Sequence, residues 1–280
     1  MAYLREDDMT EGPIPSYKKP PLIEVAWSVQ FADLSWMTAS HVGLFWQRIR
    51  DDFPTCEEQA PLPKQEEPDS LLAPARSSIR FSMRPPLARQ WFVSADKDEL
   101  VQLQQDRFCF NWRKVRATDP YPRYAHLRDQ FAKYWRQFGE FLKEEGDTTA
   151  SIELLEMTYL NHILQGEGWA APGDIGKVFP SISFKEESKF LRAPGTLACM
   201  LVYDLSGSQG RLHVSCQHAM LQEPPGREAF VLDLTARGKP KQTGEEGLLD
   251  WFANAHEWIV RSFADLTDAK VQSEFWERER

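Results

Sequence analysis

The sequence predicts an α+β protein of two lobes, each an antiparallel sheet with a long helix packed on one face. Strand-like stretches follow one another through short turns instead of alternating with helices, which favours hairpin-connected sheets. Each half closes on a long amphipathic helix, "DPYPRYAHLRDQFAKYWRQFGEFLKEEG" and "GLLDWFANAHEWIVRSFADL". The chain has 280 residues, 42% of them hydrophobic and 12% aromatic, enough to bury a sizeable core. These features divide it into a polar arm over 1–19, an N-terminal lobe over 20–148 and a C-terminal lobe over 149–280.

The arm ends in "GPIPSYKKPP", which should be extended and stiff. In "LIEVAWSVQF", Ile23, Val25, Trp27, Val29 and Phe31 fall on one parity, with Glu24, Ala26, Ser28 and Gln30 between them. This is a strand with one buried face. "SHVGLFWQRIRDDF" places Val42, Phe45, Trp46, Ile49 and Phe53 at helical spacing, with Ser40 as the expected cap. The acidic, proline-rich stretch over 54–77 reads as an exposed loop.

Strands are then expected at "SSIRFSMR", "RQWFVSA", "ELVQLQ" and "RFCFNWRK", the last two joined in a tight hairpin around Gln105 and Asp106. That register sets Val101 opposite Phe110 and Leu103 opposite Phe108. Phe108, Phe110 and Trp112 then enter the core, while Arg107, Cys109, Asn111 and Arg113 share the other face with Gln102 and Gln104. In the first long helix, Leu127, Phe131, Tyr134, Trp135, Phe138, Phe141 and Leu142 form the stripe; Pro122 sits near its start and Gly146 ends it. The second half offers strands at "SIELLEMTYLNHI", "PSISFKEE", "TLACMLVYDL", "RLHVSCQHAM" and "REAFVLDLTA", with "SGSQG" as a turn. Leu248, Phe252, Ala255, Ile259 and Phe263 form the stripe of the closing helix.

No apolar run reaches the ~20 residues a membrane helix needs. The acidic N-terminus has no secretory h-region, and the four cysteines have no short-range pairing pattern, so reduced thiols and a cytoplasmic location are expected.

Phosphate-loop, dinucleotide and nucleophile-elbow patterns are absent, so no cofactor and no catalytic residue is assigned. His213, Cys216 and His218 have metal-ligating side chains, but strand alternation puts His213 on the opposite face, so no metal is assigned. His256 borders an apolar stripe and reads as a satisfied core-edge histidine.

One stretch stands out. Between Arg107 and Lys143 lie nine basic and three acidic residues, a net +6 in a chain of net -9. The pattern fits a basic helix face paired with acidic loops. It also fits an anion- or partner-facing surface, in which Arg113 and Arg123 grip a phosphate or carboxylate and Asn111 adds directional hydrogen bonds. Lys114, Tyr124 and Arg128 complete the candidate set.

"PPLIEV" through Phe31, "FNWRK", "YPRY", "LEMTYLNHI", "HEWIVRSFADLT" and "FWERE" are spread over most of the chain from Pro20 onward. On these pieces the chain resembles a sporadically distributed family of bacterial proteins of unknown function. The resemblance implies patchy occurrence, typical of genes on mobile elements, including defence and toxin–antitoxin operons. With the catalytic patterns absent, the expected function is non-catalytic binding of a partner protein, and the resemblance adds a role as an accessory component of such a system. The alternatives are a nucleotide or nucleic-acid binder using the basic surface over 107–143, or an enzyme with an unfamiliar site.

Overall fold

A computed structural model describes residues 12–67, 87–182, 190–205, 210–222 and 226–280. The strands are β1 (Leu22–Phe31), β2 (Thr55–Gln59), β3 (Arg89–Val93), β4 (Glu99–Gln104), β5 (Arg107–Arg113), β6 (Ile152–Leu164), β7 (Ala198–Asp204), β8 (Gly210–Met220) and β9 (Glu228–Gly238). The helices are α1 (Ala39–Ile49), α2 (Tyr124–Gly146), α3 (Ile175–Val178), α4 (Gly244–Leu266) and α5 (Ala269–Glu274).

The fold is α+β, and its nine strands form one antiparallel sheet in the order β2-β3-β4-β5-β1-β6-β9-β8-β7. A separate sheet for each half, as the sequence suggested, is not what forms. The reason lies in β1, which is an interior strand of this order. Val25, Trp27, Val29 and Phe31 are fully buried as expected, but Ser28 and Gln30 on the other parity are buried too. A strand covered on both faces and paired on both sides serves a continuous sheet better than a lobe edge.

Contacts divide the chain into two discontinuous units, one of residues 25–157 with 237–249, the other of residues 1–24, 158–236 and 250–280. In the first, the β4–β5 hairpin has the expected register, with Val101 opposite Phe110 and Leu103 opposite Phe108. Phe108, Phe110 and Trp112 are buried beneath α2: Phe108 stacks on Phe138 at 5.3 Å and Phe110 on Tyr134 at 6.0 Å between ring centroids. Trp27 of β1 stacks on Phe131 at 6.2 Å. The α2 stripe is buried except for Trp135, which is half-buried, and the helix stops where Asp147 takes a left-handed conformation.

Three details depart from expectation. Helix α1 is capped by Thr38, whose N–H reaches His41 Nδ1 at 3.1 Å, not by Ser40. The loop expected over 54–77 begins with β2, an edge strand paired to β3. Its exposed Glu57 and Glu58 are tolerated because an edge strand needs only one partner, and charges there discourage further pairing. The expectations at "SSIRFSMR" and on most of "SGSQG" lie outside the described residues. Of "PSISFKEE" only 180–182 are described, and Ile182 N–H bonds back to Phe179 O at 2.8 Å in a turn.

In the second unit, β7 and β8 pair with Cys199 opposite Cys216. Residues 250–266 of α4 bury Phe252, Ala255, Ile259 and Phe263. Tyr17 docks edge-on against Phe263 and Trp276, at 5.5 and 6.4 Å. Backbone bonds from Lys18 to Glu277 and from Lys19 to Trp276 tie this stretch to the C-terminal residues.

Candidate functional site

The link from Lys114 to Arg123 joins β5 to α2, and its composition sets its path. Pro120 and Pro122 cannot donate to a strand. Asp119 Oδ2 accepts the Arg116 N–H at 2.8 Å, while Asp119 N–H returns to Arg116 O at 3.0 Å, closing a turn. Arg123 precedes the helix at φ 73°, a conformation costly for a side chain with a Cβ.

Facing the link is the β3–β4 turn, residues 94–98. Ser94 Oγ donates to Asp98 Oδ1 at 3.0 Å and accepts from Glu99 N–H at 3.1 Å. Arg113 fastens turn to link: its backbone N–H reaches Asp98 O at 2.7 Å and its Nε reaches Lys97 O at 2.8 Å.

Turn and link enclose a groove of about 430 Å³. Trp112, packed on Tyr121 at 5.4 Å, lies at its floor, with Val115 and Pro122 as apolar wall. Val115, which lines the groove with Trp112, is 46% exposed. The rim is acidic: Asp96, Asp98, Glu99 and Asp119 face Arg116 and His126. Burial pushes the Glu99 carboxyl above its ordinary pKa, with Asp98 adding repulsion and His126, 3.7 Å away, opposing.

The six expected site residues do not assemble around this groove. Asn111 is buried on the opposite face of β5, where its Oδ1 accepts Gln102 Nε2 at 2.7 Å. Gln102 Oε1 accepts in turn from Arg89 at 2.8 Å and Trp91 at 2.9 Å. Arg113 is the fastening just described, and Lys114 beside it is half-exposed. Arg123 and Arg128 are exposed, and Arg128 grips neighbouring Asp129 at 2.8 and 3.1 Å. Tyr124 stacks on Trp27 at 6.3 Å, and burial raises its phenol pKa.

Other members of the basic stretch have carboxylate partners outside it. Lys133 pairs with Asp52 and Arg136 with Glu245, both at 2.7 Å, and buried Arg107 lies 3.9 Å from Glu156. Much of the local positive charge is thereby compensated. The groove escaped the sequence because its acidic members come from a hairpin tip, "DKDE", and from a link twenty residues later. Only the β4–β5 pairing brings them together.

Elsewhere, His218 Nε2 lies 2.9 Å from Glu228 Oε2, and Cys216 faces Cys199. Burial pushes the Cys216 thiol up to about 12, with Cys199 adding to it. Among the described residues no group of three or more His, Cys, Asp and Glu is placed to hold a metal, and no helix is long and apolar enough to cross a membrane. His256 Nδ1 meets the Tyr159 hydroxyl at 2.7 Å, and burial lowers its pKa to about 4, which keeps the imidazole neutral.

No family model, curated protein or solved structure matches the chain.

Proposed function

We propose that the chain is a non-catalytic binding protein that engages a partner protein through the groove between residues 94–99 and the link over 114–123. The carrying observation is the exposed Val115 beside Trp112, ringed by charges of both signs: an apolar centre with a polar rim suits a protein contact. The acid-rich rim favours a basic side chain from that partner. A place in a defence or toxin–antitoxin-like system is what the family resemblance adds. The nucleic-acid reading is weaker, because Arg107, Arg128, Lys133 and Arg136 are already engaged with carboxylates.

The test compares wild type with the double variant Asp96→Lys, Val115→Arg as bait in cells of the native host. The partner should be recovered with wild type and lost with the variant, at an unchanged melting temperature. Recovery of the same partner by the variant overturns the groove reading. Binding to nucleic acid that weakens steeply with salt would replace it with the other.

A further inference from the structure

The face of β5 turned away from α2 carries Arg107, Cys109 and Asn111, with Gln102 and Gln104 beside them on β4 and Gln30 on β1. All are buried, which is unusual for so many polar groups. What covers part of this face is the strap of residues 60–67, "APLPKQEE".

The strap is held by its main chain. Gln104 Oε1 accepts the Leu62 N–H at 2.9 Å while its Nε2 donates to Leu62 O at 3.1 Å. Gln30 treats Gln65 the same way, accepting its N–H at 2.8 Å and donating to its carbonyl at 2.9 Å. Arg107 Nη2 donates to Pro63 O at 3.0 Å and to Gln30 Oε1 at 2.7 Å. Lys64 of the strap also pairs with Glu153.

We infer that this face is a site for an extended, proline-containing peptide segment of a partner protein, which the strap occupies in cis. Three features support this. A primary amide that satisfies both the N–H and the C=O of one residue reads backbone alone, so it accepts many sequences. The two clamped residues are three apart, the repeat of a polyproline-type chain, and Pro61 and Pro63 favour that conformation. Prolines at those positions cost nothing, because neither clamp needs their missing N–H.

The third feature is a vacancy in the hydrogen bonding. Arg107 is only 4% exposed, yet its Nε finds no acceptor among the described residues. An acceptor supplied to a buried guanidinium donor is favourable. A segment offering one more carbonyl or carboxylate at that point would satisfy it and displace the strap. This site lies on a different face from the groove, and the variants that test the two are distinct.

The test uses a fluorescent peptide of sequence QAPLPKQEE titrated into the full chain and into the full-length variant Gln65→Pro, whose strap has lost the N–H that Gln30 accepts. The peptide should bind the variant at least tenfold more tightly than wild type. The same peptide N-methylated at its leucine and second glutamine should fail to bind either chain. Absence of binding to a variant that melts as wild type does would overturn the proposal. Hydrogen exchange in the unmodified chain is the second arm: the Leu62 and Gln65 amides should exchange at least a hundredfold faster than those of β5. Exchange of both only through global unfolding would make the strap a permanent part of the fold and equally overturn the inference.

Discussion

Phe110 has no solvent exposure, meets Trp27 at 5.9 Å and stacks on Tyr134, so its removal leaves a cavity bounded by rings that cannot collapse. Phe110→Ala is expected to destabilise by about 3–5 kcal/mol, read from chemical denaturation. An unchanged midpoint would mean the ring is not packed as described. His256 gives a pH signature. Its folded pKa of about 4 lies below its ordinary value of 6.5, so the fold prefers the neutral imidazole. That stability is present above about pH 6.5 and is lost as pH falls towards 4, on the order of 3 kcal/mol in all. Unfolding in urea at pH 7.5 and pH 4.5 should show this loss, and His256→Gln should flatten it. A slope identical in wild type and variant would assign the acid sensitivity to other groups.

At the scale of elements, helix α2 illustrates how tertiary packing reverses a local preference. Gly146 is its last residue, and replacing a helical glycine by alanine is ordinarily favourable by ~0.5–1 kcal/mol. Here a Cβ would stand 2.4 Å from the Trp36 ring, itself wedged against His41 and Phe141. Gly146→Ala should therefore destabilise by ~1–3 kcal/mol. Thermal denaturation decides it: a raised melting temperature would show that the ring moves aside freely. Strand β7 is a second case. It ends the strand order with Met200 and Tyr203 exposed, without the glutamates that protect β2 at the other edge. Met200→Lys should reduce concentration-dependent association measured by sedimentation, because a charge there disfavours strand addition. Association unaltered by the lysine would place any self-contact elsewhere.

For the whole molecule, the strand order has a consequence for dissection. A fragment of residues 20–148 lacks β6, the neighbour of β1, and lacks residues 237–249 of its own compact unit. Such a fragment should show no cooperative unfolding transition and should aggregate, since β1 would present an unpaired apolar edge. A sharp transition comparable to that of the intact chain would show the first half to be autonomous.

Local patterning determined a good deal by itself. The alternation of "RFCFNW" and the apolar match across Gln105 and Asp106 admit one hairpin register, because a slip by one residue would send every aromatic to the wrong face. The stripes of α2 and α4 are legible for the same reason, as a periodic apolar face must find a core. Tertiary structure alone decided what lies beyond the reach of periodicity. Alternation marked Gln30, Gln104 and Arg107 as the polar side of their strands but carried no sign that residues 60–67 would cover them. The groove likewise needs two short segments whose sequences carry charge but no period. Their meeting depends on which strand pairs with which, a long-range choice made by the packing of the whole sheet.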